Sequence, residues 1–118
     1  MRMEELKPAA RYILGLKGEH IAEKTLKRKG MKLLARRFRS SGGEIDLIFR
    51  DGEEIVFVEV KYRPDGEKGD GIMAVTPDKL RRIRRAGDAF LTRYPHAPAR
   101  IDIVEITADG VDHVRNIY

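Results

Sequence analysis

The run GEIDLIFRDGEEIVFVEVKYR, residues 43–63, constrains the fold more than any other part of the chain. Two stretches rich in β-branched and aromatic residues, Glu44–Arg50 and Glu54–Arg63, flank Asp51-Gly52. Asp-Gly between alternating apolar residues is the strongest short-range signal of a β-hairpin. Side chains alternate faces along a strand, so Ile45, Leu47 and Phe49 are expected on one face and Glu44, Asp46 and Ile48 on the other. In the second strand Val56, Val58, Val60 and Tyr62 share a face, with Ile55, Phe57, Glu59, Lys61 and Arg63 opposite. A two-residue turn at Asp51-Gly52 pairs Asp46 with Phe57 and Glu44 with Glu59, whereas a four-residue loop sets Asp46 directly across from Glu59. In either register the valine-rich face meets Ile45 and Leu47, and Asp46, Glu59 and Lys61 share the other face. A hairpin apolar on both sides belongs in the middle of a covered sheet.

The flanking sequence supplies the cover. Residues 8–29 read as a helix with the stripe Leu14, Gly18, Ile21, Ala22 and Leu26, stopped by Gly30. Residues 31–39 read as a strand leading into the turn at Ser40-Ser41-Gly42-Gly43. Residues 64–75 are rich in glycine and charge and are expected to form a long exposed loop. Thr76 as N-cap and Pro77 at the first helical position then open a second helix, striped by Leu80, Ile83, Gly87, Phe90, Leu91 and Tyr94 and ended by Pro95. Strands Arg100–Thr107 and Val111–Ile117 follow around Ala108-Asp109-Gly110. The order α-β-β-β-α-β-β predicts an α/β fold, a central sheet flanked by helices. At 118 residues the chain is expected to be a single domain, 1–118.

Composition matters mainly through what it removes and where charge falls. There is no cysteine, which excludes disulfides, thiolate metal sites and cysteine nucleophiles. With no long apolar run and no secretory-type N-terminus, a cytoplasmic protein without membrane contact is expected. The net charge of +5 is unevenly spread: residues 1–42 carry net +8, residues 43–78 net −6 and residues 79–118 net +3. Basic flanks around an acidic centre suggest carboxylates that hold a cation, ringed by groups that hold phosphates.

Asp46 and Glu59 are candidates for that centre. Two carboxylates within about 5–7 Å on neighbouring strands repel each other unless a divalent cation joins them. Their oxygen ligands suit Mg²⁺ or Mn²⁺. Lys61 beside such a site can orient a water or stabilise charge developing on a phosphate. An ordinary ion pair at the end of a sheet is the competing reading.

At this point the residues resemble a known family. Gly43-Glu44-Ile45-Asp46-Leu47-Ile48 and Val56-Phe57-Val58-Glu59-Val60-Lys61-Tyr62-Arg63 resemble the YraN-like bacterial proteins. These belong with the restriction-endonuclease-like PD-(D/E)xK nucleases and are similar in fold to archaeal Holliday-junction resolvases. Gly18-Glu19-His20-Ile21-Ala22 matches the family's first helix, Lys79 to Ala86 its second, and Arg100-Ile101-Asp102 its fourth strand. The resemblance implies a three-layer restriction-endonuclease-like fold with a mixed sheet. It also implies a metal-dependent phosphodiesterase core, with Asp46 and Glu59 as metal ligands and Lys61 as the catalytic lysine. In resolvase-like relatives a first-helix glutamate completes the metal site, and Glu19 matches it better than Glu23. Glu23 can instead pair with Lys27 at the surface. Ile45 stands where the wider superfamily has proline.

Lys79, Arg81, Arg82, Arg84 and Arg85 place five cations in seven residues with no acid among them. With Arg63 they are candidates for phosphate contacts to double-stranded or branched DNA, a solvated helix face being the alternative. Aromatic residues total only 7%, which argues against base stacking. His20, His96 and His113 show no ligand spacing, and Asp102 and Glu105, on opposite faces of their strand, read as structural or solvent-facing. The expected function is Mg²⁺- or Mn²⁺-dependent hydrolysis of phosphodiester bonds in structured or branched DNA. The alternatives are a nucleic-acid-binding protein that keeps the fold without cleaving and a protein-interaction module; whether the chain forms a homodimer is left open.

Overall fold

Residues 54–63 form the strand about which the sheet is ordered. In the computed structural model, which describes residues 5–117, five strands lie side by side in chain order. They are β1 (Lys32–Ser40), β2 (Gly43–Asp51), β3 (Glu54–Arg63), β4 (Ala99–Thr107) and β5 (Gly110–Val114). Neighbours run antiparallel except β3 and β4, which are parallel. Parallel neighbours need a crossover. Helix α3 (Pro77–Leu91) provides it, preceded by the single turn α2 (Asp70–Met73), while α1 (Pro8–Arg28) opens the chain. The expected mixed sheet flanked by helices is present, in the expected order, with α2 added. Among the described residues no helix is long and apolar enough to cross a membrane.

Two apolar clusters sandwich the sheet. Ala22 and Leu26 of α1 pack on Leu47, Phe49, Val56, Val58, Val104 and Ile106. On the other face Ile83, Ala86 and Phe90 of α3 pack on Ile45, Ile48, Ile55, Phe57 and Ile101. Gly18 lets α1 cross β3 closely, since a Cβ there would lie 2.6 Å from Tyr62 Cβ. Thr76 caps α3 as expected, its hydroxyl accepting the Lys79 N–H at 3.1 Å. Glu23 corrects the sequence reading. Its Lys27 partner is present at 2.7 Å, but the side chain is buried, and Arg36 of β1 donates to both oxygens at 2.7 and 2.8 Å. The Arg36 bonds, aided by Lys27, override burial and hold the Glu23 carboxyl down at about 2.

The hairpin register also departs from the first expectation. Asp51 pairs with Glu54 and Leu47 with Val58, so the two-residue loop is Gly52-Glu53, one position later than expected. Gly52, at φ 62°, takes the first loop position, where a II′ turn favours glycine. Asp51 stays in the strand because Arg100 and Arg115 bind it at 2.8 and 3.2 Å. Carried one step further, this register would set Asp46 across from Glu59, as expected of a four-residue loop, but the ladder ends at Leu47 and Val58.

Residues 64–75 are not simply an exposed loop. Glu105, fully buried on β4, accepts the N–H groups of Gly69 and Gly71 and clips α2 onto the sheet. Gly71 lies so close that a Cβ would sit 2.7 Å from Lys61 Cβ. Asp102, also buried, binds Arg100, His113 and the Asn116 N–H on the other face of β4. Burial pushes Asp102 up, but the bonds from His113, Asn116 and Arg100 outweigh it and hold the carboxyl below its usual range. Replacing Glu105 with Ala removes two charge-assisted bonds and should lower the unfolding free energy by about 2–4 kcal/mol. Limited proteolysis should then cut within residues 64–75; unchanged protease resistance would show that Glu105 is not the clip.

Candidate functional site

The geometry begins with a fault in the sheet. On one side of β2, Leu47 pairs with Arg36 and Ile45 with Phe38, but Asp46 and Arg37 do not pair between them. On the other side the ladder to β3 ends at Leu47 and Val58. Arg37 adopts φ 50°, a left-handed conformation uncommon outside glycine. The fault breaks the expected alternation: Ile45 packs under α3, whereas Leu47 and Phe49 pack under α1. Asp46 Oδ2 accepts the Val60 N–H at 2.8 Å, a side chain standing where a main-chain acceptor would be. Asp46 therefore reaches Glu59 through a gap between strands rather than from a regular position on a shared face.

The two carboxyls are not equivalent. Asp46 is pushed up to about 8, first by burial and then by the Glu59 charge and a hydrogen bond with it; the Val60 N–H opposes this and Glu19 adds to it. Glu59 is 4% exposed, and its Oε2 is, among the described residues, the buried side-chain oxygen without a hydrogen-bond partner. Two ammonium groups approach that oxygen, Lys79 at 3.3 Å and Lys61 at 4.0 Å. Asp46 opens onto a cavity of about 210 Å³, lined also by Gly15, Glu19, Val60, Lys61, Tyr62 and Arg63. Glu19 enters this cavity but is bound to Arg37 at 3.1 Å, whose guanidinium also donates to Tyr12 Oη at 2.7 Å.

Asp46, Glu59, Lys61, Glu19 and Arg63 thus come together at one end of the sheet. Among the described residues no three carboxylate or imidazole side chains converge on one point suited to a metal ion. Two carboxyls do, and Mg²⁺ is usually held by one or two carboxylates together with waters and substrate phosphates. An oxygen lacking a donor and a pair of facing acids are the donor set a hard cation needs.

The basic helix divides into unlike parts. Lys79, a candidate phosphate contact, also has its ammonium 3.3 Å from Glu59 Oε2, a neighbour that sequence reasoning missed. The Thr76-Pro77 cap places Lys79 in the first turn of α3, but only the packing of α3 on Gly43 shows which end of the sheet that turn meets. Arg81 and Arg82 are not free of acid, since Asp78 one turn earlier binds them at 3.5 and 2.9 Å. Arg82 joins Arg39, Lys79, Glu44 and the Ser40–Gly43 turn around a polar groove of about 500 Å³ beside the acidic pair. Arg81, Arg84 and Arg85 line a further hollow of about 360 Å³ with Asp78.

The model of the uncharacterised protein family UPF0102 matches residues 18–106, a span that holds Glu19, Asp46, Glu59, Lys61 and Lys79. A UPF0102 protein of Herminiimonas arsenicoxydans is 43% identical over 108 residues, covering 91% of this chain and 87% of its own. One from Geobacter metallireducens is 44% identical over 111 residues, covering 89% and 91%. One from Thermotoga maritima is 40% identical over 101 residues, covering 85% and 92%.

The Asp46 shift carries a sign that can be measured. Its pKa rises from 3.8 to about 8 on folding, so between those values the folded protein binds the extra proton and stability falls as pH rises. In EDTA, Asp46→Asn should remove that downward slope and exceed the wild type in stability at pH 8. Denaturant melts from pH 5 to 8.5 will show it, and parallel curves for the two proteins would mean that the carboxyl pair carries no such strain.

Proposed function

The chain belongs to the uncharacterised protein family UPF0102, and from that starting point we propose that it is a divalent-cation-dependent nuclease-like protein acting on structured or branched DNA. The observation that carries this reading is the pair Asp46 and Glu59, pressed together at a break in the sheet with an oxygen left undonated and Lys61 alongside. A mixed five-stranded sheet between helices, with these residues on its hairpin, also supports placing the chain among restriction-endonuclease-like PD-(D/E)xK proteins.

Asp46 and Glu59 are the residues that would hold Mg²⁺ or Mn²⁺, with Glu19 in support from the cavity that Asp46 lines. When bound, such a cation polarises the phosphoryl oxygen and acidifies the attacking water. Asp46 must give up its proton to serve, which ties cation binding to pH. Lys61, its stem pinned under Gly71, holds its ammonium where it can position the water and meet charge growing on the phosphate. Arg63 lines the same cavity and, with Lys79, Arg81, Arg82 and Arg85, provides backbone phosphate contacts that read shape more than sequence.

One observation favours a second reading, a non-cleaving nucleic-acid-binding protein that keeps this fold. Glu19 is committed to Arg37, and only two carboxyls converge among the described residues.

Labelled linear, flapped and four-way DNA, incubated with Mg²⁺, Mn²⁺ or EDTA, separates the two. Cleavage should need the cation, and Asp46→Ala or Glu59→Ala should abolish Mn²⁺ binding in calorimetry. Lys61→Ala should slow cleavage about 10²–10⁴-fold while DNA affinity changes far less. Binding of DNA with no cleavage under any condition supports the second reading.

Phosphate contact by α3 has its own signature. Each contact contributes about 0.9 to the slope of log affinity against log salt, so replacing Arg81 and Arg85 with Ala should flatten it by roughly one to two units. Thermal stability should barely change, because exposed charges contribute little to folding. An unchanged slope with intact folding would move the DNA path off this helix.

A further inference from the structure

Lys79 is placed between two environments. Its ammonium lies 3.3 Å from Glu59 Oε2, an oxygen that is buried and accepts no hydrogen bond. The same side chain is 34% exposed and borders the polar groove lined by Arg39 and Arg82. Its main chain is anchored, since the Lys79 N–H is bound by Thr76 Oγ1 at 3.1 Å and Pro77 precedes it in the first turn. The anchor leaves the long, flexible stem as the moving part.

We propose that Lys79 is a built-in stand-in for the divalent cation: it neutralises Glu59 in the cation-free protein, is displaced on loading, and then serves the Arg39–Arg82 groove as a phosphate contact. This rests on reading Asp46 and Glu59 as the cation seat. The argument is electrostatic. A cation held by Glu59 and an ammonium against the same carboxylate repel each other at a few ångströms, in surroundings that screen poorly. Lys79 is the one to leave: its ammonium is the nearer at 3.3 Å and has the groove beside it, whereas Lys61 stands off at 4.0 Å with its stem packed against Gly71. The groove offers the ammonium a destination, for it already contains the Glu44 carboxylate, 39% exposed and 3.5 Å from Arg39. With Lys79 turned there, three cationic side chains surround one hollow of about 500 Å³ next to the site. Cation loading and phosphate binding are thereby coupled, and the coupling is reciprocal.

Mn²⁺ titrations of wild type, Lys79→Met and Lys79→Arg test this, together with melts in EDTA that include Glu59→Gln and the Glu59→Gln/Lys79→Met double variant. Lys79→Met should bind Mn²⁺ about tenfold more tightly, because the cation no longer has to displace an ammonium from Glu59. Lys79→Arg, which keeps the charge and guards against a folding defect, should stay near the wild-type affinity. In EDTA, Lys79→Met should lower the melting temperature of the wild type but not of Glu59→Gln. If Mn²⁺ binds wild type and Lys79→Met equally, or binds Lys79→Met more weakly, the stand-in is refuted while the cation seat survives. If Mn²⁺ binds none of the proteins, the seat fails and the stand-in falls with it.

Discussion

Placing two carboxyl groups side by side, one buried and the other half-buried, is the constraint to which this end of the molecule answers. Neither Asp46 nor Glu59 can be relieved by moving along its strand, because β2 and β3 are the buried middle of the sheet and their other side chains fill both apolar clusters. Relief comes from elsewhere. A proton stays on Asp46 to a pH well above its usual range, the Val60 amide leaves the ladder to bind it, and an ammonium comes across from α3 to Glu59. Each of these gives up something a regular sheet or a solvated lysine would keep. Local conflicts of this kind, unresolved within an otherwise consistent fold, are where function is expected.

The opposite end of the sheet makes the contrast. There Arg100 is nearly as buried, yet its guanidinium meets Asp51, Glu54 and Asp102 at 2.8, 3.0 and 3.1 Å. Asp102 in turn takes His113 Nε2 at 2.8 Å, and Lys29 closes the chain at His113 Nδ1. Acids and bases there are matched, and the network ties β2, β3, β4 and β5 together. The same chain therefore satisfies one set of buried charges fully and leaves the other open. The difference lies in how many donors the surrounding strands supply, not in how deeply the charges sit.

Much of this was legible in the sequence because it follows from period and punctuation. The alternation in residues 44–63, the Thr76-Pro77 cap and the Gly30 stop locate the sheet core and both long helices. What could not be read depends on groups far apart in the chain. The turn sits at Gly52-Glu53 because Arg100 and Arg115 retain Asp51, and no local signal at Asp-Gly reports on an arginine about fifty residues away. The turn α2 forms because Glu105 receives two glycine amides, so a segment with loop composition becomes ordered by a residue on another strand. Asp78 could have been noticed, since its spacing to Arg81 and Arg82 is helical and its effect on the basic face is local. Glu23 was half legible: the i,i+4 partner is readable, but Arg36 lies on β1.

The break in pairing at Arg37 reaches beyond the site it makes room for. β1 is an outer strand, and an outer strand with free amides and carbonyls is a template for stacking against other chains. In this strand the register slips between Leu33 and Ala35 and the backbone turns left-handed at Arg37. Two interruptions within nine residues leave no long straight row of main-chain groups for an incoming strand to match. The departure from regularity that seats Asp46 thus also blunts the rim of the sheet, protecting the fold against edge-to-edge aggregation.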